Sequence, residues 1–146
     1  MENNEISILM MENMNHFTNL IKIVNDERYS GKKLLTERQL FALVSIRKYN
    51  KIELKNLSKD LYVSTSSLCI LLNKLVEQGY VYREEDSKDR RNTFYCITEK
   101  GSETVKSEID RFINIISKKI DRLNEEQRYK LFNCMVEVKS IMEVLY

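Results

Sequence analysis

The chain has 146 residues, of which 42% are hydrophobic and 32% are charged, and its formal net charge at pH 7 is +2. This length and composition predict one soluble globular domain spanning residues 1–146. Charged residues interrupt every apolar segment well before the ~18 residues that a membrane helix needs, which excludes a membrane-spanning protein. The chain has no proline and only 3 glycines, so it favours long helices over many short strands.

The cysteines Cys69, Cys96 and Cys134 are odd in number and widely spaced. This pattern argues against a disulfide framework and fits a reduced cytoplasm. The N-terminus lacks the basic segment of a signal peptide, so we expect a cytoplasmic protein. We predict that all three thiols are buried and structural, and a redox switch at Cys69 stays open as the alternative.

Apolar residues at three- and four-residue steps predict a first helix over residues 5–27. Its apolar stripe is wide, which indicates burial on more than one side, as in a dimer interface; an ordinary core face is the alternative. A loop follows over residues 29–33. Thr36 and Gln39 then have the spacing of a capping box, and they begin a helix that ends near Tyr49.

The next segment has the pattern of two short helices. Leu54, Leu57 and Leu61 mark the first of them. The second begins near Ser64 and ends at Gly79, where a left-handed residue commonly follows a helix. Two short helices joined by a few residues, with glycine after the second, form a helix-turn-helix pattern.

Residues 80–84 and 93–97 are rich in β-branched and aromatic side chains and predict two strands. The polar residues 86–92 between them lack the Asn-Gly of a tight turn, so they predict a longer hairpin, or wing. A long helix is predicted from Thr98 to about residue 123. Asn124 then caps a last helix that is rich in apolar residues.

The order of these elements and several motifs within them resemble the multiple-antibiotic-resistance regulator (MarR) family of bacterial winged helix-turn-helix proteins. The family's wing signature is Asp-x-Arg followed by an apolar-x-apolar-Thr motif. The resemblance is strong over residues 36–105, and the flanking helices extend it over the whole chain. The matching segments are Leu75-Val76-Glu77-Gln78-Gly79-Tyr80-Val81, Asp89-Arg90-Arg91, Tyr95-Cys96-Ile97-Thr98 and Glu99-Lys100-Gly101.

This resemblance implies a mostly α fold with a winged helix-turn-helix lobe over residues 36–100 and a two-stranded β wing. It implies that helices within residues 1–30 and 101–146 form a dimerisation region. Family members are homodimers whose recognition helices enter successive major grooves of a pseudo-palindromic operator. Their wings reach into minor grooves. We therefore predict a homodimeric transcriptional repressor that binds double-stranded DNA and is released by a small aromatic ligand.

The outward side of the second short helix carries the predicted base and phosphate contacts. Hydroxyl groups in its first turn can approach bases or phosphates closely, and helix N-terminal N–H groups favour phosphate. Ser64 has the alternative role of a helix cap alone. Ile70 stands where many relatives carry Arg or Lys, which points to contact with thymine methyl groups or to recognition of DNA shape. The predicted contacts are Ser64, Thr65, Ser66, Ser67, Ile70, Asn73 and Lys74.

At the wing tip, Lys88, Asp89, Arg90 and Arg91 are predicted to contact DNA. A narrow A·T-rich minor groove has a strong negative potential and attracts an inserted arginine. The resemblance implies that Asp89 pairs with Arg91 and braces the wing, which leaves Arg90 at the tip. A solvated charged loop is the alternative.

The resemblance also implies a ligand crevice, with His16, Phe17, Tyr29, Phe41 and Phe112 as candidate lining residues. His16 is the only histidine. One histidine cannot supply a zinc site of the kind that combines several histidines, so we expect neither a metal nor a cofactor.

No histidine pair, paired-carboxylate site or glycine-rich phosphate loop supports an enzyme. The alternative to a DNA-binding regulator is a winged-helix protein-interaction module, or an antirepressor, without specific DNA binding. The basic wing and Lys74 favour the regulator, because a module that binds only protein does not need them.

Overall fold

The computed structural model describes residues 2–28, 35–86 and 92–145, and it confirms the mostly α winged helix-turn-helix fold. The chain divides into two compact units, Met1–Ser30 with Arg111–Tyr146, and Gly31–Asp110. Five predicted site residues lie outside the described residues: Tyr29, Lys88, Asp89, Arg90 and Arg91. In chain order the elements are α1 (Asn3–Arg28), α2 (Glu37–Tyr49), β1 (Lys51–Glu53), α3 (Leu54–Asp60), α4 (Thr65–Glu77), β2 (Val81–Glu85), β3 (Thr93–Ile97), α5 (Glu99–Ile120) and α6 (Glu125–Leu145).

The first unit consists of α1, the last part of α5, and α6. An ion pair between Lys119 and Glu27 joins α5 to α1. The predicted cap of α6 is confirmed, because the Gln127 backbone N–H donates to Asn124 Oδ1 at 2.9 Å. No residue of α6 is buried within the single chain. Within the described part of the chain, none of the helices combines the length and apolar character of a membrane span.

The second unit begins with the capping box of α2, which the sequence predicted. The Gln39 backbone N–H donates to Thr36 Oγ1 at 3.2 Å, and the Thr36 backbone N–H donates to Gln39 Oε1 at 2.8 Å. These bonds satisfy the backbone N–H groups of Thr36, which precedes the helix, and of Gln39 in its first turn. The helix ends at Tyr49, and Asn50 follows with a positive φ of 59°.

A three-stranded antiparallel sheet follows the order β1-β3-β2. The β2–β3 hairpin is the predicted two-stranded wing, and a third strand that the sequence did not predict extends its sheet. Residues 51–53 form a further strand, in which Ile52 lies opposite Tyr95 of β3. β1 supplies a second neighbour for β3, so β3 is the central strand of the sheet.

The core of the second unit lies among α2, α3, α4, the sheet and the start of α5. Full burial of each large apolar side chain contributes about 1.5–3 kcal/mol relative to exposure. One side of α4 enters this core through Leu68, Leu72 and Leu75, which leaves its opposite side outward. The buried cluster is Leu35, Ala42, Leu43, Ile46, Ile52, Leu57, Leu68, Leu72, Leu75, Tyr80, Val81, Tyr95 and Val105.

The prediction that all three thiols are buried is wrong for two of them. Cys96 is buried on β3, and this burial raises the pKa of its thiol. Cys69 is half-buried, because it lies at the side of α4 rather than on its core face. Cys134 is exposed on α6, whose residues are not buried within the single chain.

Candidate nucleic-acid interface

Ser64 is the N-cap of α4. Its backbone is extended, and its hydroxyl oxygen accepts a hydrogen bond from the Ser67 backbone N–H at 3.3 Å. The cap satisfies one of the N–H groups that a helix start leaves without an intrahelical partner. Thr65 and Ser66 follow in the first turn, and both are exposed. The capping role of Ser64 is therefore confirmed, and its DNA contact stays a prediction.

The side of α4 opposite its core face carries four exposed residues at steps of four, three and four: Ser66, Ile70, Asn73 and Glu77. Residues with this spacing lie along one face of a helix. Ile70 is 64% exposed, so an apolar side chain lies in the middle of an otherwise polar face. Ser67 and Lys74 are also exposed. All of the predicted contacts on α4 thus lie at its surface.

Arg83 on β2 connects this face to the hairpin, and sequence analysis did not single it out. Its Nη2 donates a hydrogen bond to Oδ1 of Asn73. Its guanidinium carbon is 5.9 Å from the ring centre of Tyr95, which lies directly opposite on β3. Tyr95 is 3% exposed, and burial raises the pKa of its phenol while the nearby guanidinium opposes that shift. The Arg83 guanidinium thus lies next to a buried aromatic side chain of the core.

The other face of the sheet carries a charged pair near the wing. Lys51 of β1 donates a hydrogen bond to Glu84 of β2 at 2.5 Å, and its ammonium is 4.6 Å from the Phe94 ring centre. This bond raises the pKa of Lys51 and lowers that of Glu84. Both side chains are solvent-exposed, so the pair has little effect on stability. It does offset one acidic charge of the strand that leads to the wing tip.

A cavity of about 300 Å³ lies in the second unit beside the start of α4. It is mostly apolar, with charged groups contributed by Arg38 and Asp60. Its lining residues are Arg38, Phe41, Asp60, Leu61, Val63, Ser67, Leu68 and Leu71.

Of the residues predicted to bind a ligand, Phe41 lines this cavity and is 62% exposed. His16 and Phe17 are exposed on α1 and Phe112 is half-buried on α5, all within the other unit. The crevice therefore stays a prediction. Among the described residues, no group of three or more His, Cys, Asp and Glu side chains is arranged to hold a metal ion.

Residues 35–93 match the model of the MarR family. The chain is 27% identical over 112 residues to the HTH-type transcriptional regulator SarZ of Staphylococcus haemolyticus, covering 77% of this chain and 75% of SarZ. A MarR family protein from Bacillus stearothermophilus has the same fold, with a TM-score of 0.79 and 17% identity, over 98% of this chain and 99% of that protein. Streptococcus pneumoniae FabT, solved in complex with DNA, has a TM-score of 0.65 and 21% identity, over 99% of this chain and 100% of FabT.

Proposed function

Because the chain belongs to the MarR family of DNA-binding transcriptional regulators, we propose that it is a homodimeric repressor that binds a pseudo-palindromic operator and is released by a small ligand. The observation that carries this proposal is the outward face of α4, with Ile70 and Asn73 at its middle. A helix with one exposed face fits the major groove, which is about 12 Å wide. The family's members are regulators rather than enzymes, and we propose that this one acts in the cytoplasm.

We propose that α4 is the recognition helix. Its first turn carries short hydroxyl side chains that approach phosphates and base edges, namely Ser64, Thr65, Ser66 and Ser67. Ile70 contacts thymine methyl groups, because an exposed aliphatic side chain has no polar partner in the groove. Asn73 and Lys74 lie one turn further along the helix and reach the later part of the site.

The wing tip is the second proposed contact. Lys88, Asp89, Arg90 and Arg91 lie in the sequence between β2, whose Arg83 bonds to α4, and β3. We propose that Arg90 enters the minor groove and that Asp89 braces Arg91. Support comes from the attraction of arginine to a narrow minor groove.

The proposed dimer uses helices within residues 1–30 and 101–146, and the proposed DNA-binding lobe spans residues 36–100. Exposed apolar side chains on α1 and α6 support this division, because a monomer rarely leaves so large an apolar surface in water. A two-fold axis would present two α4 helices to half-sites about 34 Å apart. The exposed apolar residues are Ile6, Ile8, Leu9, Met10, Met11, Met14, Phe17, Ile21, Ile23, Leu131, Phe132, Met135, Val136, Val138, Ile141, Val144 and Leu145.

The proposed effector is a small aromatic molecule. The cavity that Phe41 and Ser67 line supports this step, because Ser67 belongs to the first turn of α4. A ligand in contact with that turn would favour one position of the helix and thereby shift the DNA-binding equilibrium. His16, Phe17, Tyr29 and Phe112 remain candidate contacts from the family resemblance.

A second candidate function is a protein-interaction module or antirepressor. The exposed Ile70 favours it, because an apolar residue at the centre of α4 also suits a protein partner. Lys74 on the same helix favours DNA instead.

Binding of the purified protein to DNA upstream of its own gene, at two salt concentrations, separates these functions. A discrete complex on one pseudo-palindrome that weakens with salt supports the regulator, because phosphate contacts release counterions. Release of that complex by added aromatic compounds would support the effector. If binding is weak and indifferent to sequence, a selection from random DNA decides whether any site is preferred. If no site is preferred, the protein-interaction function is favoured.

A further inference from the structure

The hydrogen bond between Arg83 and Asn73 fixes which end of the asparagine amide faces the hairpin. An amide has an acceptor oxygen and a donor nitrogen, whereas a guanidinium has only donors. The atom that faces Arg83 is therefore Oδ1. The nitrogen Nδ2, with its two N–H groups, is the end that Asn73 offers to a molecule lying against α4. An isolated asparagine can rotate its amide, but this one is held by a guanidinium that packs near the buried Tyr95 ring.

We propose that Arg83 determines base specificity by making Asn73 a hydrogen-bond donor toward DNA, so that α4 selects guanine or thymine at the base facing Asn73. This inference rests on the proposed function, since it requires α4 to lie in a major groove. Arg83 is a positioning residue in this scheme, because it acts through Asn73.

The major-groove edges of the four bases explain the expected selection. Guanine presents the acceptors O6 and N7, and thymine presents the acceptor O4, whereas adenine presents the acceptor N7 beside an amino group and cytosine presents only an amino group. The usual pairing of asparagine with adenine needs Oδ1 to accept from the amino group while Nδ2 donates to N7. Here Oδ1 already accepts from Arg83, and the guanidinium charge repels a further donor. Adenine and cytosine are therefore disfavoured at this position.

Selection of binding sites from a random double-stranded DNA library tests the inference, with base frequencies determined at every position. The wild-type protein is compared with three variants. Asn73→Asp replaces the donor Nδ2 by an acceptor of the same shape. Arg83→Met removes the group that holds Oδ1. Arg83→Lys is the matched control, because an ammonium group also has only donors.

We expect the wild-type protein to prefer guanine or thymine about three- to tenfold over adenine at one position and its symmetry mate. Asn73→Asp should abolish this preference, and Arg83→Met should admit adenine there. Arg83→Lys should retain the wild-type preference. The other operator positions should be selected equally by all four proteins, which also establishes that the variants fold.

Two results would overturn the inference while leaving the proposed function intact. One is an unchanged preference in both Asn73→Asp and Arg83→Met. The other is a uniform loss of affinity on all sequences, which would assign Asn73 to a phosphate contact. If the wild-type protein enriches no common sequence at all, the proposed function fails, and the inference fails with it.

Discussion

Tyr62 has an unusual backbone conformation for a large side chain. It lies in the turn between α3 and α4 with a φ of 52°, and the residue is 96% exposed. The left-handed region costs a residue other than glycine about 1–2 kcal/mol. The turn is maintained from both sides of Tyr62, because the Val63 N–H donates to the Ser58 carbonyl at 3.2 Å and Ser58 Oγ donates to the Val63 carbonyl at 2.6 Å. Because the ring is exposed, no energy from its burial offsets this backbone cost.

Tyr62→Gly should therefore raise the free energy of unfolding by about 0.5–1 kcal/mol, because relief of the left-handed strain exceeds the added entropy of glycine in the unfolded chain. Urea unfolding at a fixed protein concentration measures the change. Tyr62→Ala is the control: it removes the ring, keeps the backbone cost and should leave stability unchanged. Equal stabilisation by both variants would attribute the effect to the ring.

Arg90→Ala should weaken DNA binding on all sequences and lower the magnitude of the slope of log affinity against log salt concentration by about 1, because one positive charge that displaces counterions from the DNA is lost. Binding is measured by fluorescence anisotropy at four salt concentrations. Lys130→Ala, which removes an exposed charge from α6, is the matched control and should leave the slope unchanged. A slope that does not respond to Arg90→Ala removes this residue from the interface.

Single residues were predictable from sequence where their roles are local. Ser64 caps α4, and Gly79 has a φ of 74° after it, as the sequence patterns indicate. The bond from Arg83 to Asn73 was not predictable, because it connects a helix to a strand across ten residues. The sequence alone does not distinguish Arg83 from any other solvent-facing charged residue on a strand. Sequence patterns report periodicity and caps, but they do not report which exposed side chains meet.

At the scale of elements, residues 98–101 join β3 to α5 and also hold the end of α4. Thr98 Oγ1 accepts a hydrogen bond from the Gly101 N–H at 3.0 Å and donates to the Gly79 carbonyl at 2.8 Å. Lys100 Nζ donates to the Gln78 carbonyl at 2.6 Å. The Ile-Thr-Glu-Lys-Gly motif therefore caps one helix at its start and another at its end.

Gly101→Ala should destabilise this junction by about 3 kcal/mol, because overpacking against a fixed backbone costs typically 1–3 kcal/mol and sometimes more. An added Cβ would lie 2.2 Å from the Tyr80 carbonyl oxygen, which already accepts from the Thr98 N–H. Thermal unfolding should show a midpoint lowered by roughly 6–12 °C. Ser107→Ala, at an exposed position of the same helix, is the control. A variant as stable as wild type would mean that α5 can move away from Tyr80 at little cost.

The strand β1 is the element that sequence analysis missed. Lys51, Ile52 and Glu53 are too few to establish an alternating pattern. Their partners on β3 are more than forty residues later in the chain, with Lys51 opposite Cys96. Helices longer than ten residues, in contrast, show their period within their own sequence. Whether a short segment with a distant partner forms a strand is thus decided by tertiary structure, and its own sequence does not show it.

At the scale of the whole molecule, the two units differ in how much apolar surface each buries within one chain. The unit formed by Gly31–Asp110 has a compact core of leucine, isoleucine and aromatic side chains. In the other unit, α6 buries no residue and α1 exposes much of its wide apolar stripe. The sequence predicted this stripe, but the homodimer that would cover it stays a prediction. The physical basis of this prediction is that burial stabilises a protein by about 25 cal/mol for each Å² of apolar surface removed from water.

Ile141→Glu therefore tests the proposed dimer. Ile141 is 60% exposed in the single chain and belongs to an apolar row with Leu131, Val138 and Leu145 on α6. If that row is the dimer interface, a buried carboxylate without a partner should shift the protein to monomers and weaken operator binding by at least tenfold. Sedimentation measures the mass, and anisotropy measures the affinity.

Ser140→Glu is the matched control, because it adds the same charge one residue away, outside the row of Leu131, Val138, Ile141 and Leu145 and near Glu137. It should remain dimeric and bind DNA as the wild-type protein does. Monomers in both variants would indicate general destabilisation of α6 rather than loss of a specific contact. A fully dimeric Ile141→Glu variant would mean that another surface joins the two copies, and α1, whose apolar stripe is also exposed, would be the next helix to substitute.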